Sequence, residues 1–438
     1  MSVAIPLESI SNECKKKIVM DLHFQKEQQT KKGSAPKYVK NTEEIVPYRI
    51  ADGHVHIPLA YAFHSLQCSL PSRKQLSSIL EDKSVCENLR PAQKEILDSV
   101  VQHVGAHHTA LLALHVGFGK SIIAIVMANK IRLRTIIIVH RVLLAKQWKE
   151  SLEKWCPSHI CHIFNPIKKM PDEFDFLICT VLNVPKLERT ITDSIGFVIV
   201  DECHLISTAH FSKSLNYLHP RYMVGLSATP YRKDGMDKLM DIYFGDKRFS
   251  RVLRLVHTVY KLETNFEPRI QLNRNGEMDW NVILDQQCNH GRRNQMIVSL
   301  CSLFPDRRIL ILCKRVKQAE VLLELAMEKN LLATSLVGNS NSFAKDAHIL
   351  IATVQKAGVG FSHDVLDMLI LASDVEEYYI QYLGRVTRRP DVTPIIIDIV
   401  DKNKTLQNHF RTRKKVYEEI GGVIKSFHHE FPDFEIYI

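Results

Sequence analysis

The sequence predicts an α/β protein with two open, parallel sheets in tandem, each covered by helices, behind a small β-rich module. Three observations carry this. Near-continuous apolar runs of strand length recur in two series, as in parallel sheets buried on both faces. Helix-period segments separate the runs. Residues 1–85 follow another pattern, with short alternating runs around turn residues.

In chain order, residues 1–85 read as an accessory module. The polar, Lys-rich stretch QKEQQTKKGSAPKYVKNTEE precedes IVPYRI, ADG and HVHIPLAYAF. ADG between two alternating runs predicts a hairpin turn. A disordered leader over part of 25–44 is the alternative for the polar stretch. Residues 86–248 form the first α/β lobe. Its strand runs are ALLALH (110–115), TIIIVH (135–140), FDFLICT (174–180), GFVIVD (196–201) and YMVGLS (222–227). AQKEILDSVVQHV and LLAKQWKESLEKW read as helices between them. Residues 249–438 form the second lobe, with RILILC (308–313), HILIAT (348–353), LDMLILA (366–372) and PIIIDIV (394–400), and a helix at VKQAEVLLELAMEKN. Two such lobes put a cleft between them, and ligands of such sheets bind at the carboxyl ends of the strands.

The 438 residues suffice for two or three domains with their own cores. A net charge of +10 and a pI near 9.0 admit a polyanionic partner but do not require one. The ten cysteines form no C-x-x-C. Cys156 and Cys161 with His159 and His162 come nearest to a metal cluster, without the two tight pairs of a structural zinc site. Scattered thiols fit a reducing compartment: cytosol, nucleus or virion core. No signal pattern or membrane-length apolar run is present, so the expectation is a soluble, intracellular protein.

The chemistry begins at LALHVGFGKSI (112–122), where a strand runs into Gly-Lys-Ser and then a helix. This is the context of a phosphate-binding loop. Gly117 and Gly119, flanking Phe118, free the backbone N–H groups to close around phosphate, and the helix N-terminus adds its dipole. Lys120 would reach the β- and γ-phosphates and Ser121 would hold Mg²⁺. Alone, the tripeptide could equally be a surface turn. GFVIVDECH then ends a strand on Asp201 and Glu202. A carboxylate there can hold Mg²⁺, and the next can orient and deprotonate the attacking water, which assigns Asp201 to the metal and Glu202 to the base.

Asp-Glu-Cys-His resembles the DEAD/DEAH-type box of superfamily 2 helicases, and further motifs follow in that family's order. NLRPAQKEI resembles the segment before motif I, which implies that Gln93 reads adenine. IIIVHRVLLAKQW resembles motif Ia, with His140 and Arg141 at the nucleic-acid backbone, and ICTVLNV carries Thr180 like motif Ib. GLSATPYRKDG contains Ser227-Ala228-Thr229, similar to motif III, which links hydrolysis to lobe movement, with His204 of the box in the same coupling group. ILILCKRVKQAEVL resembles motif IV, implying nucleic-acid contacts at Lys314 and Arg315. ILIATVQKAGVGFSHDVLDMLI resembles motif V, with Thr353 on nucleic acid, Gly358 in the motif and Gly360 on the nucleotide. QYLGRVTRR resembles motif VI, with Gln381, Arg385 and Arg388. Arginines of that kind stabilise charge at the γ-phosphate and are worth ~10³–10⁵ in rate in other phosphoryl-transfer systems.

The resemblance covers roughly residues 86–425 and is nearest the XPB/UvsW-like group, with sub-spellings similar to helicases of large DNA viruses. It implies two RecA-like lobes and an ATP- and Mg²⁺-dependent helicase or translocase acting on nucleic acid, DNA favoured over RNA. It also implies work alongside transcription, repair or recombination machinery, no membrane, and no required oligomer. Rival readings are a non-hydrolysing nucleic-acid-binding scaffold and a small-molecule P-loop enzyme. The retained Lys120, Glu202 and Arg385 argue against the first, and the second lobe against the other. Some positions depart from the pattern. Leu114 stands where a P-loop has its first glycine, Ser362 where an acid often follows motif V, and VGNSNSFAKDAH is short for a helix-bearing connection. His54 and His56 read as a strand face, His107-His108 as a loop, and RTRKKVYEEIGG as a solvated helix packed on the second lobe, with nucleic-acid tracking as its alternative.

Overall fold

The structure, a computed structural model, describes residues 2–27, 42–68, 78–82, 85, 89–115, 117–206, 208–228, 236–251, 255–273, 276, 278–338, 340, 342–358, 363–375, 379–387, 389 and 391–434. Much of the polar stretch in 25–44 lies outside these residues, as do Thr229, Gly360, Ser362 and Arg388. The chain divides into two compact units, Met1–Leu114 with Phe118–Arg251, and Val252–Ile438 with His115–Gly117.

The module opens the first unit. Strands β1 (Ser2–Pro6), β4 (Arg49–Ala51) and β5 (His54–Pro58) form an antiparallel sheet in the order β1-β5-β4, and β2 (Phe24–Glu27) pairs with β3 (Thr42–Ile45). The predicted ADG turn joins β4 to β5. Asp52 and Gly53 there take φ of 50° and 68°, the two positive angles of a tight hairpin turn that matches strand twist. The helix Asn12–Asp21, unpredicted, is capped by the Ser11 hydroxyl, which accepts from the Cys14 N–H.

Seven parallel strands follow: β6 (Thr109–Leu114), β7 (Thr135–Val139), β8 (Cys161–Ile163), β9 (Phe176–Thr180), β10 (Phe197–Asp201), β11 (Tyr222–Ser227) and β12 (Arg248–Arg251), ordered β12-β6-β11-β10-β7-β9-β8. Side chains alternate between two buried faces, which is why the runs lack polar alternation. Ala110, Leu112, Ile137, Ile178 and Ile199 pack with the helices Pro91–His107, Lys120–Ile131 and Val142–Trp155. Leu111, Ile136, Leu177, Val198 and Met223 share their cluster with Val3, Ile18, Val55, Ile57 and Tyr61 of the module. The module is thus part of the covering layer on one face of the sheet.

The second unit repeats the plan. Strands β13 (His257–Glu263), β14 (Ile309–Cys313), β15 (Ala333–Leu336), β16 (Ile349–Thr353), β17 (Met368–Leu371), β18 (Ile395–Val400) and β19 (Gly422–Ser426) are all parallel, ordered β15-β16-β14-β17-β18-β13-β19. Helices Gly291–Ser302 and Val316–Glu328 cover one face, and Tyr379–Val386 with Lys404–Glu419 covers the other. Between β15 and β16 no helix occurs among the described residues, as the short VGNSNSFAKDAH predicts, although parallel pairs usually cross over through one. The chain therefore has two tandem RecA-like lobes behind a small β-rich module.

The C-terminal helix packs on the second unit as expected, but its basic stretch is not wholly solvated. Arg413 is 2% exposed and makes paired 2.8 Å bonds to both oxygens of Asp398, which is buried in β18. It also donates to Asp374 at 2.8 Å. A second buried guanidinium, Arg293, donates to Asp401 at 3.0 Å and to the Ala372 carbonyl. A bidentate carboxylate for Arg413, and a carboxylate plus a backbone carbonyl for Arg293, are what allow such charges inside a core.

Candidate nucleotide and nucleic-acid edge

Strand order assembles the candidate residues. In a parallel sheet every strand ends at the same edge, and β6, β11, β10, β7 and β9 are consecutive neighbours. β6 leads into the Gly-Lys-Ser loop, β11 ends on Ser227 and β10 on Asp201. His140 follows β7, and Thr180 ends β9. Register aligns these ends, with Ser227 opposite Ala113, Asp201 opposite Leu226, and Thr180 opposite Val139. Nucleotide candidates therefore occupy one stretch of the edge and nucleic-acid candidates the next.

The loop is held from two directions. The Lys120 ammonium donates to the Leu114 carbonyl at 3.0 Å. Leu114 itself is the last residue of β6, with its side chain buried in the sheet face. The departure at this position thus concerns the packing of the strand, and the backbone oxygen that any residue would supply is what engages Lys120. Gly119 caps the helix Lys120–Ile131 at φ 97°, and a Cβ there would lie 2.4 Å from Gln93 Nε2. Gln93 is 3% exposed. Its Nε2 donates to the Phe118 carbonyl at 2.6 Å, and its Oε1 accepts from the Arg90 N–H at 2.9 Å. The Arg90 guanidinium donates to the same Phe118 carbonyl. The amide expected to read adenine is thus engaged at both ends in bracing the loop, and Arg90, which sequence reasoning passed over, shares that task.

At the DECH segment, Asp201 Oδ2 accepts from the Trp148 indole N–H at 2.9 Å, and Oδ1 accepts from the Glu202 N–H at 3.0 Å. Burial, and then the Glu202 charge, push the Asp201 carboxyl above its usual range, opposed by the Trp148 bond and by Lys120. Glu202 takes φ 48°, a left-handed backbone that a non-glycine residue adopts at a cost, as functional sites often show. His204 Nδ1 lies 3.4 Å from Glu202 Oε2 and 3.0 Å from Ser227 Oγ. Glu202, His204 and Ser227 are thus physically connected.

Along the rest of the edge, burial followed by the Arg141 and His204 charges brings His140 down to about 4, so its ring is neutral near pH 7. Arg141 is exposed at the N-terminus of the helix Val142–Trp155, and the Thr180 hydroxyl accepts from Asn183 at 2.9 Å. In the second unit Lys314 follows β14, and Thr353 ends the neighbouring β16 opposite Cys313. Arg315 pairs with Asp285 at 2.9 Å and Asn281 at 3.0 Å. Arg385 lies on the helix Tyr379–Val386, whose Tyr382, Leu383 and Val386 are buried in a sheet-face cluster; the Gln381 side chain is outside the description. Gly358 ends a short helix after β16. No cluster of three metal-type ligands occurs among the described residues, Cys156 and Cys161 included, and no described helix is long and apolar enough to cross a membrane.

Two RecA-like lobes, with a braced Gly-Lys-Ser loop beside paired acids and a histidine–serine link, define a nucleoside-triphosphate-driven motor of nucleic acid. The sequence relatives agree with this class. Residues 87–232 match the family described as Type III restriction enzyme, res subunit. A protein named as a helicase, 161L of Invertebrate iridescent virus 6, is 38% identical over 414 residues, covering 88% of this chain and 92% of that one. Another so named, 055L of Frog virus 3, is 29% identical, covering 85% and 86%. L396 of Acanthamoeba polyphaga mimivirus, named as an ATP-dependent RNA helicase, is 26% identical, covering 88% and 78%. T4 UvsW aligns over 95% of this chain and 96% of its own at 15% identity and a TM-score of 0.36. The chain belongs to the superfamily 2 ATP-dependent helicases, in the group formed with these large-DNA-virus proteins.

Proposed function

We propose that this helicase hydrolyses ATP at the carboxyl edge of the first unit's sheet and uses the cycle to move along, or unwind, DNA. The observation that carries this reading is the strand order β6-β11-β10, which sets Lys120, Ser227 and the Asp201–Glu202 pair on adjacent strand ends. Lys120 and the N–H groups around Gly117, Phe118 and Gly119 hold the phosphates. A half-buried carboxylate and a first-turn hydroxyl suit a hard divalent cation, so Asp201 and Ser121 would hold Mg²⁺, which supplies charge neutralisation at the phosphates. Glu202 orients and deprotonates the attacking water. Arg385 and Arg388 supply charge stabilisation at the γ-phosphate, with Gln381 and Gly360 on the nucleotide. His204, Ser227 and Thr229 couple hydrolysis to motion.

In this reading residues 1–85 are the accessory module, 86–248 and 249–438 the two lobes. Nucleic acid runs over His140, Arg141, Thr180, Lys314, Arg315 and Thr353, held through phosphate with little sequence preference. A role in viral-type transcription, repair or recombination is what the family resemblance implies; the large-DNA-virus relatives' names say helicase and no more. RNA is the second reading, favoured by the mimivirus relative's name. The test is ATPase rate with and without nucleic acid, for wild type and Glu202→Gln, beside strand displacement on 3′- and 5′-tailed DNA and RNA duplexes. Stimulation by nucleic acid, and a Glu202→Gln loss of about 10²–10⁴-fold, are expected. A rate indifferent to nucleic acid overturns the reading.

A further inference from the structure

We propose that Trp148 is a positioning residue for the metal–nucleotide site, fixing the Asp201 carboxylate in the orientation that receives Mg²⁺. The proposal rests on the reading of Asp201 as the metal carboxylate.

Trp148 lies on the helix Val142–Trp155 and is 3% exposed, so its ring is locked by the sheet-face cluster it shares with Leu144 and Leu152. From that fixed platform its N–H reaches Asp201 Oδ2 at 2.9 Å, while the Glu202 backbone N–H reaches Oδ1 at 3.0 Å. The terminal torsion of an aspartate is soft and roughly two-fold. Two donors on opposite oxygens, one from a helix and one from the backbone, remove that freedom. Each takes one lone pair, and each oxygen keeps another for a ligand. The choice of donor matters. A lysine or arginine here would neutralise the carboxylate and compete with a cation. The indole N–H only donates and carries no charge, so it orients the carboxylate and leaves its charge available. A phenylalanine would fill most of the same space without doing this.

Trp148→Phe separates the two roles. In the full-length chain, affinity for a fluorescent ATP analogue is measured in EDTA and across a Mg²⁺ titration, with Asp201→Asn and Trp148→His alongside. The expected result is unchanged affinity in EDTA and a Mg²⁺ midpoint raised about 10–100-fold in Trp148→Phe. Trp148→His, whose ring can also donate an N–H, recovers part of the loss. If Asp201→Asn shifts the midpoint and Trp148→Phe does not, the proposal is overturned. If Asp201→Asn itself leaves the midpoint unchanged, the metal reading of Asp201 fails and takes the proposal with it. Should Trp148→Phe not fold, the chain's three tryptophans offer another route. In a Trp155→Phe, Trp280→Phe double variant the intact Trp148 is the only indole. Its emission is expected to change when Mg²⁺ is added to the ATP-bound protein, and an unchanged spectrum overturns the proposal.

Discussion

His204 Nδ1 lies 3.0 Å from Ser227 Oγ, both side chains buried, so the box at the end of β10 and the serine at the end of β11 share a hydrogen bond across adjacent strand ends. The same ring nitrogen is 3.4 Å from Glu202 Oε2. A change at the proposed base can thus be felt at Ser227 without moving the strands. Ser227→Ala should cost about 0.5–1.5 kcal/mol of stability, the net worth of one such bond. It should retain most ATPase activity and lose strand displacement, because the bond it makes is to His204, proposed to couple the two, and it carries no proposed chemical role itself. Parallel ATPase and displacement assays check this, and an equal loss in both would remove the coupling role.

The bracing of the phosphate loop by Gln93 gives a second prediction. With its amide bonded to both Phe118 and Arg90, Gln93→Ala should weaken ATP and GTP binding to the same extent. A base-reading glutamine would instead lose discrimination between them. Gly119→Ala should be worse. A left-handed backbone costs a residue with a side chain about 1–2 kcal/mol, and the new Cβ would press on the Gln93 amide at 2.4 Å. Nucleotide affinities of the two variants, for both bases, decide the point.

Arg413 should be needed for the second unit to stay folded. It is bonded to Asp398 and Asp374, and Tyr417 adds a 3.0 Å bond to Asp398. Burial works to raise the Asp374 carboxyl, but His409 and Arg413 together hold it below its usual range. Arg413→Met leaves both carboxylates in place without their main partner, and breaking a buried pair costs about 3–5 kcal/mol. Arg413→Lys should rescue little, since an ammonium cannot make the forked contact. Denaturant melts of the three proteins test this.

What could be read from sequence follows from which residues face what. All nine apolar runs became strands, because burial on both faces leaves a continuous signal. The four edge strands of the two sheets, β8, β12, β15 and β19, and β13, spelled HTVYKLE, were missed because polar residues interrupt that signal. Motif order found the residues along the first unit's edge because parallel topology turns sequence order into adjacent strand ends. Trp148 and Arg413 escaped for opposite reasons. A tryptophan at helical spacing looks like core whether or not its N–H has a task, and an arginine among lysines looks like solvent-facing helix. One signal for Arg413 was present. An aspartate inside PIIIDIV needs a buried partner, and only the fold shows which cation supplies it.

The module should make the first unit acid-sensitive. His56, on β5, is held down to about 4, by burial first and then by the Arg49 charge. An unfolded histidine titrates near 6.5. Above that value both states are neutral and His56 costs nothing. As pH falls from 6.5 towards 4, the unfolded chain takes a proton that the folded module refuses, so stability falls with pH over that window. The neighbouring His54 and N-terminal charges act in the same direction as Arg49, and Asp52 opposes them. Removing the ionisable ring with His56→Leu should therefore reduce the drop in melting temperature of the first unit between pH 7 and pH 5, while leaving the value at pH 7.5 close to wild type. Thermal melts across that range are the check, and an identical pH dependence in the variant would assign the acid sensitivity to other groups.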